Sequence, residues 1–205
     1  MIGQLIRTGT LLVLAAALVG CAPSGPIGVD QMAPSMQYRG FSLPRPEDPR
    51  WRLETTDQSP RNASFFFDPL SESHTFSALV RHVSLPSEAA SAAQFRDFVA
   101  DQFTLNPDRF EAVNMSFELD NVQGQEAVRF RTKVIDKEPA SPIKPLTLTI
   151  VGFAVKHPSF DNELIWAEYT ERGTDAEVNG DLDKVGQKFL SSIILESRPG
   201  RPIQR

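Results

Sequence analysis

Val128-Arg129-Phe130-Arg131-Thr132-Lys133-Val134 alternates residue by residue between apolar or small and basic side chains. Successive side chains of a β-strand point to opposite faces, so this period of two predicts a strand with one buried face and one wet, basic face. Residues 146–156 extend the theme. Thr147, Thr149, Val151, Phe153 and Val155 share one face there, and Leu146, Leu148, Ile150 and Ala154 share the other. A strand apolar on both sides needs cover on both sides. Phe65-Phe66-Phe67, within a strand over 63–68, makes the same demand. Residues 75–85 alternate, with Phe76, Ala78, Val80 and His82 on one face. Further strands are expected over 51–55, 110–119 and 164–172, with a turn at Asp120-Asn121.

The period changes twice. Phe95, Phe98, Val99, Gln102 and Phe103 fall at helical spacing and predict a helix over 87–104, opened by Ser87 and closed at Asn106-Pro107. Leu182, Val185, Phe189, Leu190 and Ile193 form the stripe of a second helix over 176–195. Gly180 and Gly186 within it each cost about 1 kcal/mol relative to Ala. Strands, a helix, consecutive strands and a helix make an α+β domain over 38–196: one twisted, mostly antiparallel sheet with helices on both faces. A polar tail over 197–205 follows it.

Ahead of the domain lies a different kind of stretch. Arg7 precedes the apolar run Leu11 to Val19, which is too short to span a bilayer at about 20 residues. Basic residue, short apolar run and small residue form the pattern of an export signal over 1–20. Leu18-Val19-Gly20-Cys21 resembles the lipobox of bacterial lipoproteins. The resemblance implies cleavage between Gly20 and Cys21, a diacylglycerol on the Cys21 sulfur, and acylation of the new amine. Cys21 is the only cysteine, so no disulfide competes for it. Ala22 stands where an aspartate would retain a lipoprotein in the inner membrane of a diderm host. The resemblance therefore implies an outer-membrane anchor and a periplasm-facing domain. Residues 21–37, rich in Pro, Gly, Ser and Met, read as a flexible tether, or as a segment that orders on a partner.

Gly40-Phe41-Ser42-Leu43-Pro44 followed by Trp51, then Leu85-Pro86-Ser87 before a helix, Val122-Gln123-Gly124-Gln125-Glu126-Ala127, and Ser192-Ile193 near the end resemble the PsbP-like (Mog/PsbP) fold. That resemblance implies a non-catalytic domain that binds a partner or assists assembly. It transfers no catalytic residues.

The residues themselves offer few constellations for chemistry. The formal net charge of −5 makes nucleic acid a poor partner. No cofactor motif occurs, neither a Gly-rich phosphate loop nor His-Glu-x-x-His. Ser84 with His82 could form part of a dispersed triad, though no Gly-x-Ser-x-Gly elbow surrounds a serine. His157, Asp161 and Glu163 gather around one loop and could hold a metal, but loop acids are more often solvated. Glu168 shares a strand face with Trp166, which suits sugar hydrolysis or simply a sheet edge; Glu171 points the other way. The row Arg129, Arg131, Lys133 could meet a phosphate, or pair with acids on a neighbouring strand. Phe95, Phe98 and Phe103 could line a pocket for an apolar ligand, or fill a core. The first reading is a membrane-anchored module that binds a protein partner and does no chemistry. A carrier of a small apolar ligand or lipid, and a cell-wall enzyme, are the alternatives.

Overall fold

The computed structural model describes residues 25–54, 60–68, 71, 73–87, 89, 91–103, 105–139, 145–178 and 180–196. Its centre is an eight-stranded sheet in which each neighbouring pair is antiparallel. The strands are β1 (Ile27–Gly28), β4 (Trp51–Leu53), β5 (Asn62–Phe67), β6 (Thr75–Ser84), β7 (Phe110–Val122), β8 (Gln125–Asp136), β9 (Leu146–Lys156) and β10 (Glu163–Gly173). Their spatial order is β1-β4-β5-β6-β10-β9-β8-β7. A second, three-stranded sheet joins β2 (Ser35–Gln37), β3 (Phe41–Pro44) and β11 (Ile194–Leu195) in the order β11-β3-β2. Among the described residues there are two α-helices, α1 (Ala92–Asp101) and α2 (Asp183–Ser192).

Alternation along the long strands divides the interior into two cores. In β10, Ile165, Ala167 and Tyr169 join a cluster with Phe189 and Leu190 of α2. Leu164 and Trp166 join another, with Phe95 and Val99 of α1. β9 splits the same way, Val151, Phe153 and Val155 against Ala154 and Ile150. The aromatic centre of the first core is Trp51, whose ring lies 5.0–6.3 Å from those of Phe65, Phe67, Phe76 and Phe189. Phe65 and Phe67 are buried, whereas Phe66 between them is only half-buried. Full cover of that triplet, expected from its composition, holds for one face alone.

Several boundaries move. α1 begins at Ala92, not near 87. Ser91 caps it, accepting a hydrogen bond from the Gln94 backbone, while the Gln94 side chain returns to the Ser91 N–H. That Ser-x-x-Gln capping box outcompetes Ser87. α2 is also shorter than the apolar stripe suggests, and Gly180, at φ +90°, lies before it. β7 runs on through Asp120-Asn121 to Val122, and the turn falls at Gln123-Gly124, with φ of 52° and 81°. Positive φ at both central residues is what a two-residue hairpin with right-twisted strands requires.

The largest correction concerns 21–37, expected to be a flexible tether. Its described part, from residue 25, belongs to the fold. Ile27 and Gly28 pair with Leu53 and Arg52, a 3₁₀ turn follows at Val29–Gln31, and β2 pairs with β3. Met32 and Met36 are buried in the first core. Elements of two and three residues are too short to show a period, so composition alone read as linker. Residues 21–24, and the tail at 197–205, lie outside the described residues.

Gly186 is a cost in the sequence and a requirement in the structure. A Cβ there would lie 2.4 Å from the Tyr169 ring, so the absent side chain lets α2 settle onto β10. The Tyr169 hydroxyl in turn donates to Asp183 Oδ1 at 2.5 Å and receives Gln187 Nε2 at 3.3 Å. Gly186→Ala gains about 1 kcal/mol of helix propensity. It then loses about 1–3 kcal/mol to overpacking. A net loss is expected, measured as a lower urea midpoint with unchanged slope.

Candidate functional site

The polar groups singled out in the sequence do come together, mostly with one another. His82 and Glu163 face each other where β6 and β10 end, since Glu163 pairs with Ser84 and Ile165 with His82. His82 Nδ1 lies 2.9 Å from Glu163 Oε2, and the other oxygen of Glu163 accepts from Arg39 at 2.9 Å. His82 Nε2 faces the Arg39 carbonyl. Both ring nitrogens are therefore occupied, and no base is left for Ser84. The His82 side chain is only 3% exposed, which also removes it from solvent chemistry.

His157 completes the same node. Its Nδ1 accepts the Ser159 N–H at 3.0 Å, so the proton sits on Nε2, which donates to the Gly40 carbonyl at 2.9 Å. Burial pushes the His157 pKa down, against the Gly40 bond, which raises it. Arg39 stacks over Phe160 at 4.5 Å. This is a clamp that fixes the entry of β3 to the far end of β10. No three His, Cys, Asp or Glu side chains are placed to hold a metal among the described residues. The expected grouping of His157, Asp161 and Glu163 thus resolves into a packing node, with Glu163 spoken for by Arg39 and His82.

Glu168 and Trp166 share a face, as alternation requires, and Trp166 Nε1 donates to Glu168 Oε2 at 2.7 Å. Burial raises the Glu168 pKa; the Trp166 bond and the Arg81 charge oppose that rise. Glu171 lies on the opposite face and bonds His74 at 2.9 Å. Glu168 therefore does not have Glu171 as its partner. The basic row is paired: Arg129 with Asp120 of β7, Arg131 with Asp183 at 2.8 Å, Lys133 with Asp175 at 3.6 Å. Only Asp120 comes from a neighbouring strand. Asp183 and Asp175 come from α2 and the turn before it, a tertiary pairing that strand alternation could not reveal.

The apolar candidates are packed shut. Phe103 lies 5.0–5.5 Å from Phe117, Phe130 and Trp166, and Phe130 lies 4.7 Å from Trp166. Phe95 is fully buried. Aromatic centroids at these separations are in contact. The rings fill a core.

Open concave surface lies instead around the Pro44-Arg45-Pro46-Glu47-Asp48-Pro49 loop, to which the sequence alone assigned no role. On one side it forms a cleft of about 450 Å³ with Trp51, Val185 and Phe189. On the other it forms a broader one of about 790 Å³ with Val29, Asp30, Pro34 and Arg52. The signal was three prolines in six residues, too many for one turn. Glu47 is held by Lys188 at 2.5 Å and Asp48 by Arg50 at 2.8 Å. A third cleft, about 460 Å³, lies beside the histidine clamp between Leu85-Pro86 and Asp161-Asn162. Gly20, Cys21 and Ala22, the residues of the expected cleavage and lipid attachment, lie outside the described residues. No described helix is long and apolar enough to cross a membrane.

No family model matches this sequence, and no curated protein matches it either. Solved structures similar in shape include the following three. The Saccharomyces cerevisiae Ran-binding protein Mog1p shares 12% identity and a TM-score of 0.46, over 78% of this chain and 94% of that one. LpqN, involved in cell envelope biogenesis of Mycobacterium tuberculosis, shares 13% and 0.47, over 77% and 83%. Cyanobacterial PsbP from Synechocystis shares 15% and 0.38, over 87% and 99%. At these identities and scores no residue corresponds to a residue, so every role assigned to this chain is argued from its own side chains.

An acid whose pKa is raised by folding holds its proton longer in the folded state than in the unfolded chain. Stability then falls as pH rises from the usual glutamate value of about 4.3 through the raised value. Glu168→Gln keeps an acceptor for Trp166 without the charge. Urea unfolding between about pH 4 and pH 8 should show the variant's curve flatter where the native chain loses stability, above about pH 4.3, and the variant gaining on the native chain by the alkaline end.

Proposed function

We propose that this chain is a bacterial lipoprotein, anchored through Cys21, whose domain binds a partner and catalyses nothing. One observation carries the non-catalytic half: the candidate acids, bases and cations are spent on internal bonds. His82 and Glu163 hold Arg39, His157 holds Gly40, and Arg129, Arg131 and Lys133 hold acids. The packed rings around Phe103 likewise count against an apolar-ligand carrier. Glu168, alone on its face among the candidate acids, supports a structural role over a glycosidase pair, which needs two carboxyl groups about 5–9.5 Å apart.

The anchoring half rests on Leu18-Val19-Gly20-Cys21 behind a short apolar run. Ala22 supports passage to the outer membrane, with the domain in the periplasm. The sheet is antiparallel, and the two described α-helices contribute to separate cores, Phe95 and Val99 of α1 to one and Phe189 and Leu190 of α2 to the other. A protein partner at the envelope completes this reading.

The anchor is tested in the producing cell with a clickable fatty acid. The native protein should take the label and Cys21→Ser should not. Equal labelling of both would remove the lipoprotein reading.

A further inference from the structure

The correction at the N-terminus changes where the domain stands. This step rests on the anchoring reading above. A flexible stretch over 21–37 would let the domain roam far from the bilayer. Instead β1 already pairs with β4 at Ile27, and burial of Met32 and Met36 holds the following residues down. Only the chain between Cys21 and Ile27 can act as leash, about 20 Å at full extension. The sheet is eight strands wide, so its β1 and β7 edges lie about 34 Å apart at ~4.8 Å per strand. The leash holds the β1 edge within reach of the headgroups and is too short to let the whole domain swing clear.

What the chain presents at that edge is the cleft between the 3₁₀ turn and the Pro44–Pro49 loop. It carries two exposed opposite charges, Asp30 and Arg45, neither paired among the described residues. Its other charges are engaged: Glu47 with Lys188, and Arg52 with Asp68 at 3.4 Å. Pro34, Pro46 and Pro49 supply the apolar wall. We propose that this cleft rests on the membrane and receives a zwitterionic phospholipid headgroup, its phosphate on Arg45 and its ammonium on Asp30. A free cation and a free anion in one cleft fit a headgroup that carries both signs. They fit a purely anionic surface poorly, as does the acidic chain.

Cys21 is the only native cysteine and the lipid consumes it, so one introduced thiol gives one label. The full acylated chain is placed in vesicles of phosphatidylethanolamine and phosphatidylcholine containing a headgroup nitroxide. Fluorophores are attached at Pro46→Cys, and separately at Leu119→Cys on the exposed β7 edge. Quenching at 46 should exceed that at 119 several-fold. Adding Arg45→Glu should remove at least half of the quenching at 46. Flotation and intact mass report the anchor separately. A chain that carries no lipid and does not float overturns both the anchor and this proposal. An acylated, floating chain with equal quenching at the two positions overturns the membrane-facing orientation alone. Quenching at 46 unchanged by Arg45→Glu overturns the headgroup contact.

Discussion

Everything in this domain hangs on β10, the strand hydrogen-bonded along its length to β6 on one side and β9 on the other. Because its residues alternate, Leu164 and Trp166 feed one core while Ile165, Ala167 and Tyr169 feed the other. One backbone therefore supports two hydrophobic interiors. α2 can lie against it only because Gly186 leaves room for Tyr169. The N-terminal segment is fixed to its other end, where Glu163 gathers Arg39 and His82. A disturbance of β10 reaches both cores and the clamp.

The same economy explains why polar side chains gather at this end of the sheet. Histidine, glutamate and arginine occur together here because packing three segments at a sheet end buries polar groups, and buried polar groups need partners. Side-chain types alone do not separate such a clamp from a catalytic site. Saturation of their hydrogen bonds does: His157 has one nitrogen accepting and the other donating, both to backbone.

Legibility in the sequence followed length. The long strands carry enough alternation to be read, and Val128, Phe130, Thr132 and Val134 are buried as their period demands. So are Leu182, Phe189, Leu190 and Ile193 of the second helical stripe, with Val185 packed partly against them. Short elements were illegible. β1 and β2 have five residues between them, and the segment's buried anchors are Met36 of β2 and Met32 between the two strands, which no periodicity announces. Turn position was decided by which residues accept positive φ, and Gln123-Gly124 displaced the more turn-like Asp120-Asn121 because hairpin register, not local preference, sets the ends of β7 and β8. The Pro44–Pro49 loop carries three prolines in six residues, but the clefts beside it also depend on Val29, Val185 and Phe189, which are remote from it in sequence.

The central claim is that the segment from Ile27 belongs to the fold that β10 organises. Native-state hydrogen exchange measures this directly. Amides of β10 should open only with global unfolding. The β2–β3 ladder, including the Tyr38 amide, which donates to the Phe41 carbonyl, and the Arg45 amide, which donates to Pro34, should show protection of the same order, far above that of free chain. Protection in β10 together with exchange at the free-chain rate over 35–44 would contradict the account and return that segment to a tether.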